Sequence, residues 1–237
     1  MPLVGDDRRK SIAGMGTSLG DQAYELIRGD IITCVLEPGI QLFQPQLVQR
    51  YGVGITPVRE ALKRLSHDGL VESVPRIGYI VSQITFSDLF EMFELRLILE
   101  LNGVRLAVER ASDEQLETIS KNASFTYTHG NKLSYSEYLA HNTEFHCSIT
   151  ETAGNQRLTA ILSRTLDELT RVFHLGLDLR DSADEKLQIH CELADALRRR
   201  DSDEAQSQMR HDIERSRERV LEAVQSHAGY NVTLARR

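Results

Sequence analysis

Tryptophan is absent from this chain of 237 residues, proline occurs only five times and cysteine only three times. The cysteines, Cys34, Cys147 and Cys191, are odd in number, lie far apart and include no C-x-x-C pair. The sequence therefore predicts neither a disulfide framework nor a thiolate zinc site. We expect all three cysteines to be small buried hydrophobic residues.

Long apolar segments are also missing. No run approaches the roughly 18 consecutive apolar residues that a membrane-spanning helix needs. The opening MPLVGDDRRK places two acidic and three basic residues where a signal peptide would carry its apolar segment. We therefore expect a cytoplasmic protein with no membrane association.

The formal net charge is -7, and an acidic chain is ordinarily a poor candidate for nucleic-acid binding. The excess acid is confined to the second part of the chain. Residues 1–83 carry nine Lys and Arg against nine Asp and Glu, whereas residues 84–237 carry nineteen against twenty-six. Residues 41–81 have a small positive surplus, with five basic and three acidic residues. At about 150 residues per domain, this length predicts one small and one medium domain.

The small domain is predicted over residues 20–83, after a polar, glycine-rich arm over residues 1–19. Apolar residues recur at helical spacing from Gln22 onward, and this helix ends at Glu37-Pro38-Gly39, where proline and glycine cannot continue it. A short second helix is closed by Gly52-Val53-Gly54. A third begins with Thr56 as its N-cap and Pro57 at the first helical position.

Two β-type runs, residues 70–74 and 79–81, follow the third helix and predict a hairpin with glycine at the turn. Three short helices and a hairpin are the pattern of a winged helix-turn-helix, whose third helix enters the DNA major groove. The pattern therefore predicts a DNA-binding domain. Its alternative is a small protein-binding module with solvated charges.

Five residues of this domain are candidates for DNA contacts. Thr56 opens the third helix and offers a hydroxyl to phosphate, Arg59 can present its guanidinium to a guanine edge, and Lys63 lies one turn further along the same side. In the hairpin, Gly78 allows a close approach of the backbone to DNA. Arg76 suits the negative potential of a minor groove.

The string T-P-V-R-E-A-L at residues 56–62, with Asp68-Gly69-Leu70-Val71 and the wing Arg76-Ile77-Gly78, resembles the DNA-binding domain of GntR-family transcription regulators. The resemblance implies a homodimer on a short palindromic operator, with DNA contacts at Thr56, Arg59 and Gly78. Many relatives place Arg directly before the Thr-Pro pair, and this chain has Ile55 there. The operator sequence therefore cannot be carried over from the relatives.

The second domain is predicted over residues 84–225 as an antiparallel bundle of six helices, followed by a tail over residues 226–237. Turn-forming or polar residues divide it at five places, near residues 111–113, 128–132, 153–155, 181–182 and 200–202. The predicted fold class is therefore mainly α, a winged helix-turn-helix followed by an all-helical bundle.

Polar residues occur on the apolar faces of three of these helices. Asn142 and His146 lie one turn apart on one buried stripe, His190 lies between leucines on another, and Asp212 lies at the edge of a third. The neighbouring His211 is assigned to the opposite, solvent side. Two histidines, a carboxylate and an amide suit Zn²⁺, Ni²⁺ or a similar divalent ion. The alternative is a buried hydrogen-bonded network.

This part of the chain resembles the FCD effector domain of the FadR subfamily, of the six-helix, VanR-like kind. The resemblance rests on Glu94-Leu95-Arg96, Phe145-His146, Ala153-Gly154-Asn155 and His190 with the Ala-Leu-Arg that follows. It implies a metal held by an Asp and a His one turn apart and by two further histidines. Here Asn142 replaces the Asp, and Asp212 aligns with the third His. The ligand set therefore still contains one carboxylate, but at a different position.

Arg96 is a further inward candidate, because a buried Arg on an apolar helix face is costly unless it meets an anion. Its partner is either a small carboxylate effector or Glu100, one turn away.

The leading hypothesis is a ligand-responsive transcription regulator. A metal-dependent bundle enzyme would require Glu-x-x-His motifs on two helices, which this sequence lacks. A metal-sensing protein without DNA binding would leave T-P-V-R-E-A-L unexplained.

Overall fold

The computed structural model describes residues 18–179 and 181–226, so most of the predicted arm (1–19) and of the predicted tail (226–237) lies outside the described residues. The chain divides into two compact units, Met1–Ile84 and Thr85–Arg237. Within the described residues, none of the helices is both long and apolar enough to cross a membrane.

Over residues 18–84, the described part of the first unit, there are three helices and a small sheet. Its elements are α1 (Leu19–Ile32), β1 (Gln41–Leu42), α2 (Gln44–Tyr51), α3 (Ile55–His67), β2 (Val71–Val74) and β3 (Gly78–Val81). The predicted helices and hairpin are present, and the sheet order is β1-β3-β2, all antiparallel. Helix α1 ends at Ile32, before the predicted end at Glu37-Pro38-Gly39, because Thr33 caps it and Cys34 takes a left-handed backbone conformation at φ 55°. Strand β1 was not predicted, because two residues are too short to show an alternating pattern.

The core of the first unit lies between α1 and α3. Ile27 and Ile31 of α1 and Leu62 and Leu65 of α3 are fully buried. Burying an aliphatic side chain of this size contributes about 1.5–3 kcal/mol. The spacing of three and four residues directs one face of α3 inward and leaves the opposite face in solvent.

The start of α3 differs from the prediction that Thr56 is the N-cap. The helix begins at Ile55 with Gly54 as N-cap, and no side chain makes a capping hydrogen bond. The first N–H groups of any helix lack intrahelical partners, so Pro57 fits at several positions of the first turn and does not fix the start. The Thr56 hydroxyl is therefore not used as a cap, and Thr56 is exposed.

The turn between β2 and β3 also differs from expectation. The Ile77 N–H donates to the Val74 carbonyl across 3.2 Å, closing a four-residue turn with Pro75 and Arg76 at its centre. Arg76, and not a glycine, takes the left-handed position of this turn at φ 66°, while Gly78 opens β3 at φ 106°. A non-glycine residue in this region is strained. Arg76 is thus fixed at the tip of the wing.

The second unit contains the six helices that the sequence predicted. They are α4 (Phe86–Arg110), α5 (Asp113–Asn122), α6 (Lys132–Thr152), α7 (Gln156–Leu179), α8 (Ala183–Arg198) and α9 (Ser202–Ser226). Capping boxes at Thr85 and Ser112 begin α4 and α5, and the Asn131 side chain caps α6. Helix α9 packs against α4, α7 and α8.

Two contacts fix α4 within the bundle. Gly103 approaches α6 so closely that a Cβ atom there would lie 2.6 Å from Cγ2 of Thr150. Arg200 donates to the carbonyls of Val108 and Ala111 at the end of α4. These contacts hold the charged residues of α4 beside α6 and α9.

The burial of the three cysteines differs from the prediction. Cys34, Cys147 and Cys191 are free thiols, as the absence of a pairing pattern predicted, but all three are partly exposed and not fully buried.

Candidate functional site

The five candidate DNA contacts are all exposed on the first unit. Thr56, Arg59 and Lys63 follow one another at spacings of three and four residues on the solvent face of α3, and Arg76 and Gly78 lie at the wing. Among the described residues, no ion pair or hydrogen bond engages the side chains of Arg59, Lys63 or Arg76. Their charges are therefore available to an outside partner.

Other basic residues of the first unit are already engaged within it. Arg64 forms an ion pair with Asp21 at 2.5 Å and stacks over the Tyr24 ring. Arg50 pairs with Asp30 at 2.8 Å. The contrast separates structural arginines from the three free cations of α3 and the wing, a distinction that the sequence does not make.

The second candidate site is a cluster of buried polar side chains in the helical unit. His146 of α6, His190 of α8 and Asp212 of α9 are all buried, and one ligand atom of each lies within 4.8 Å of the others. His146 Nε2 is 3.5 Å from Asp212 Oδ2, and His190 Nε2 is 3.7 Å from Asp212 Oδ1. The exposed side chain of His211 lies outside the cluster.

Lys186 of α8 is a member of this cluster that the sequence analysis missed. Its Nζ donates to Asp212 Oδ1 and to Ser216 Oγ, each at 2.5 Å. Lys186 lies one turn before His190 on the same inward face. That spacing is a sequence signal for an inward side chain, but lysines on helices are ordinarily solvated, so the spacing alone does not predict burial.

Arg96 and Glu100 of α4 approach the cluster from the other side. Arg96 Nε donates to Glu100 Oε1 at 2.5 Å, which is the ion pair weighed as the alternative for Arg96. Its Nη2 atom has no hydrogen-bond partner in the described chain and lies 3.8 Å from Asp212 Oδ2. One end of the guanidinium is therefore occupied, and the other faces Asp212.

Glu100 also contacts His146. Its Oε2 is 2.5 Å from His146 Nδ1. Burial raises the pKa of the Glu100 carboxyl, but Arg96 and His146 together hold it below its usual range. A carboxylate beside Nδ1 is the arrangement that orients a histidine to ligate metal through Nε2.

The charges of the cluster support one another. Burial raises the pKa of the Asp212 carboxyl, but the surrounding positive groups, led by Lys186, hold it well below its usual range. Burial lowers the pKa of Lys186 to about 8 and that of His190 to about 3. His190 is therefore a neutral imidazole, the form that ligates metal ions.

Several buried nitrogen and oxygen atoms of the cluster are not hydrogen-bonded to any part of the chain that the structure describes. Within the described residues, Nε2 of His146, both ring nitrogens of His190 and Oδ2 of Asp212 lack hydrogen-bond partners. Buried polar atoms are ordinarily paired, and so many orphans in one place are unusual. Two imidazoles with a carboxylate suit Zn²⁺ or Ni²⁺, so these residues fit a divalent ion.

A small cavity adjoins the cluster. Its volume is about 20 Å³, enough for a water molecule. Asn142 is buried and faces this cavity beside Lys186. The remaining lining residues are Tyr138, Leu139, Phe173, Leu177, Ser216, Arg219 and Val220.

Comparison with known families agrees with both units. Residues 19–81 match the family model of bacterial regulatory proteins of the gntR family, and residues 91–215 match that of the FCD domain. The chain belongs to the GntR family and carries an FCD domain. It is thus a transcription regulator with a helix-turn-helix domain, and the two family resemblances drawn from the sequence are confirmed.

Relatives and solved structures extend this assignment. The repressor RspR of Escherichia coli is 23% identical over 90% of this chain and 93% of its own. The repressor NanR of Cronobacter sakazakii is 30% identical over 68% of each chain. Among structures, E. coli McbR/YncC has a TM-score of 0.66 at 22% identity, covering 89% of this chain and 99% of its own. A GntR regulator from Rhodococcus has a TM-score of 0.69 at 21% identity, covering 87% and 99%. At these identities the structures show a shared fold.

The buried ion pair of the FCD domain predicts a large stability effect. Glu100→Gln removes the charge that Arg96 meets in the core, and we expect a loss of about 3–5 kcal/mol in the free energy of unfolding. Glu109→Gln is the matched control, because Arg105 and Glu109 form the same i,i+4 pair on the exposed face of α4. It should cost no more than about 0.5 kcal/mol. Urea unfolding measures both, and equal losses would contradict the account.

Proposed function

We propose that this regulator binds a palindromic operator as a homodimer and that a small carboxylate effector changes its DNA affinity by binding at a metal site in the FCD domain. The observation that carries the proposal is the pair of features just described, three free cations on α3 and the wing and a buried donor cluster in the helical unit. We further propose a repressor acting in the cytoplasm, since RspR and NanR are named repressors.

The charge of the first unit supports dimeric binding. Arg59, Lys63 and Arg76 are the exposed and unpaired cations among the proposed contacts, so one protomer brings about three positive charges to its half-site. Specific DNA affinity depends strongly on the number of phosphates neutralised. Two half-sites bound together double this number, and a palindromic operator matches the two-fold symmetry of a dimer.

Within each half-site the contacts have different roles. Arg59 points outward from the first turns of α3, and its planar guanidinium fits the O6 and N7 atoms of guanine. Thr56 and Lys63 bind phosphate on either side of it. Arg76 at the tip of the wing enters a minor groove, and Gly78 allows the strand to lie close to the DNA backbone.

Arg59→Ala tests the groove contact. We expect operator affinity to fall by about 1–3 kcal/mol with a relaxed preference at one base pair, whereas Lys63→Ala should weaken binding to all sequences and reduce the salt slope by about 1. Arg157→Ala, an exposed arginine of α7 in the other unit, removes the same charge and is the control. Fluorescence anisotropy with operator variants distinguishes the three. If Arg59→Ala keeps full affinity and sequence preference, the role assigned to α3 is wrong.

The metal site is proposed from His146, His190 and Asp212, with Asn142 beside them. A divalent ion held there supplies positive charge and open coordination positions to the carboxylate of an effector. Glu100 orients His146. Arg96 directs its unpartnered Nη2 toward the same region and is proposed to contact the effector.

Neighbouring substitutions separate the proposed ligands from the surface. His190→Ala and Asp212→Ala should abolish stoichiometric Zn²⁺ or Ni²⁺ binding and with it the stabilisation that a bound ion gives to the folded state. His211→Ala should change neither, because that side chain is exposed. Elemental analysis after gel filtration, together with the metal-induced rise in Tm, measures both effects. Metal loss in the His211 variant and retention in the Asp212 variant would overturn the ligand assignment.

A further inference from the structure

Lys186 contacts the carboxylate of Asp212, which is one of the proposed metal ligands. Lys186 is buried, and its Nζ contacts the Asp212 oxygen Oδ1, the same atom that faces His190 Nε2. The other carboxylate oxygen, Oδ2, faces His146 Nε2 and Arg96. Each oxygen of Asp212 is therefore shared between an imidazole and a cation of the chain itself.

The four charged side chains of the cluster balance one another. Arg96 and Lys186 carry two positive charges, and Asp212 and Glu100 carry two negative charges. The nearby Arg219 donates to Glu185, which also accepts from Arg215. A divalent ion would add two positive charges to a balanced and buried group, where charges are weakly screened.

We infer that Lys186 is a built-in cation that competes with the divalent ion for Asp212 and thereby sets the metal affinity of the site. The inference rests on the metal site proposed above. Lys186 satisfies Asp212 when no ion is bound, and its second contact, Ser216 Oγ, gives the ammonium a place beside the cavity when Asp212 is taken. Lys186 is thus a residue that determines affinity without being a ligand.

Neutral substitutions of Lys186 test the competition. Lys186→Met is unbranched and one atom shorter and removes the charge, and Lys186→Gln keeps a hydrogen-bond donor. We expect both to bind Zn²⁺ at least about tenfold more tightly than the unaltered chain, since one unit of nearby repulsion is removed. Lys121→Met, at an exposed lysine of α5, is the control and should bind Zn²⁺ as the unaltered chain does. Competition against a chromophoric zinc chelator, starting from metal-free full-length protein, measures the dissociation constants.

The outcomes distinguish this inference from the metal site itself. If the unaltered chain binds zinc and both Lys186 variants bind it equally or more weakly, the competition is refuted and the metal site stands. If none of them binds zinc, both proposals fail. The variants should also be less stable than the unaltered chain without metal and recover on adding Zn²⁺, because the ion replaces the lost charge. Variants that stay unfolded in excess zinc would equally refute the competition.

Discussion

The buried carboxylate of Asp212 is the constraint on which the helical unit depends. A charge removed from water is tolerated only where other groups compensate it, and here the compensation comes from three further helices. Lys186 arrives from α8, Arg96 from α4 and His146 from α6. Glu100 in turn balances Arg96. The helices that pack around α9 therefore also supply the charges and hydrogen-bonding groups that compensate Asp212.

The winged unit uses charge in the opposite way. Its structural arginines, Arg50 and Arg64, are paired within the unit, while Arg59, Lys63 and Arg76 are exposed and have no partner in the part of the chain that the structure describes. A hydrophobic core between α1 and α3 provides the rigid support that lets α3 present these groups. The winged unit is stabilised by apolar burial, and its unpaired charges are available to a partner. The FCD domain instead buries charged side chains, and some of their polar atoms have no hydrogen-bond partner within the described residues.

Much of this arrangement could be predicted from the sequence, because it is periodic. Apolar spacing predicted the six helices of the FCD domain and directed His146, His190 and Asp212 inward, and the Thr-Pro string identified the DNA-binding helix. Local geometry was less accessible. The N-cap of α3 is Gly54 and not Thr56, because proline is tolerated throughout a first turn. Arg76 takes a conformation that usually favours glycine, which no spacing rule predicts.

Contacts between helices were the least predictable part. Lys186 has its burial explained only by Asp212 and Ser216, which lie 26 and 30 residues away on another helix. Arg96 had two alternatives in the sequence, and in the structure its Nε donates to Glu100 while its Nη2 lies 3.8 Å from Asp212 Oδ2. When a buried polar side chain pairs with a residue of another helix, its partner can be identified only once the fold is known.

X-ray absorption spectroscopy at the zinc K-edge of the loaded regulator tests the central claim most directly. The account predicts a first shell with two imidazole nitrogens and a carboxylate oxygen at about 2.0–2.2 Å, with the outer-shell scattering of histidine rings. The same spectrum for His190→Ala should lose imidazole scattering. A sulfur scatterer near about 2.3 Å, or a shell of oxygen atoms without imidazole, would place the ion elsewhere and contradict the account.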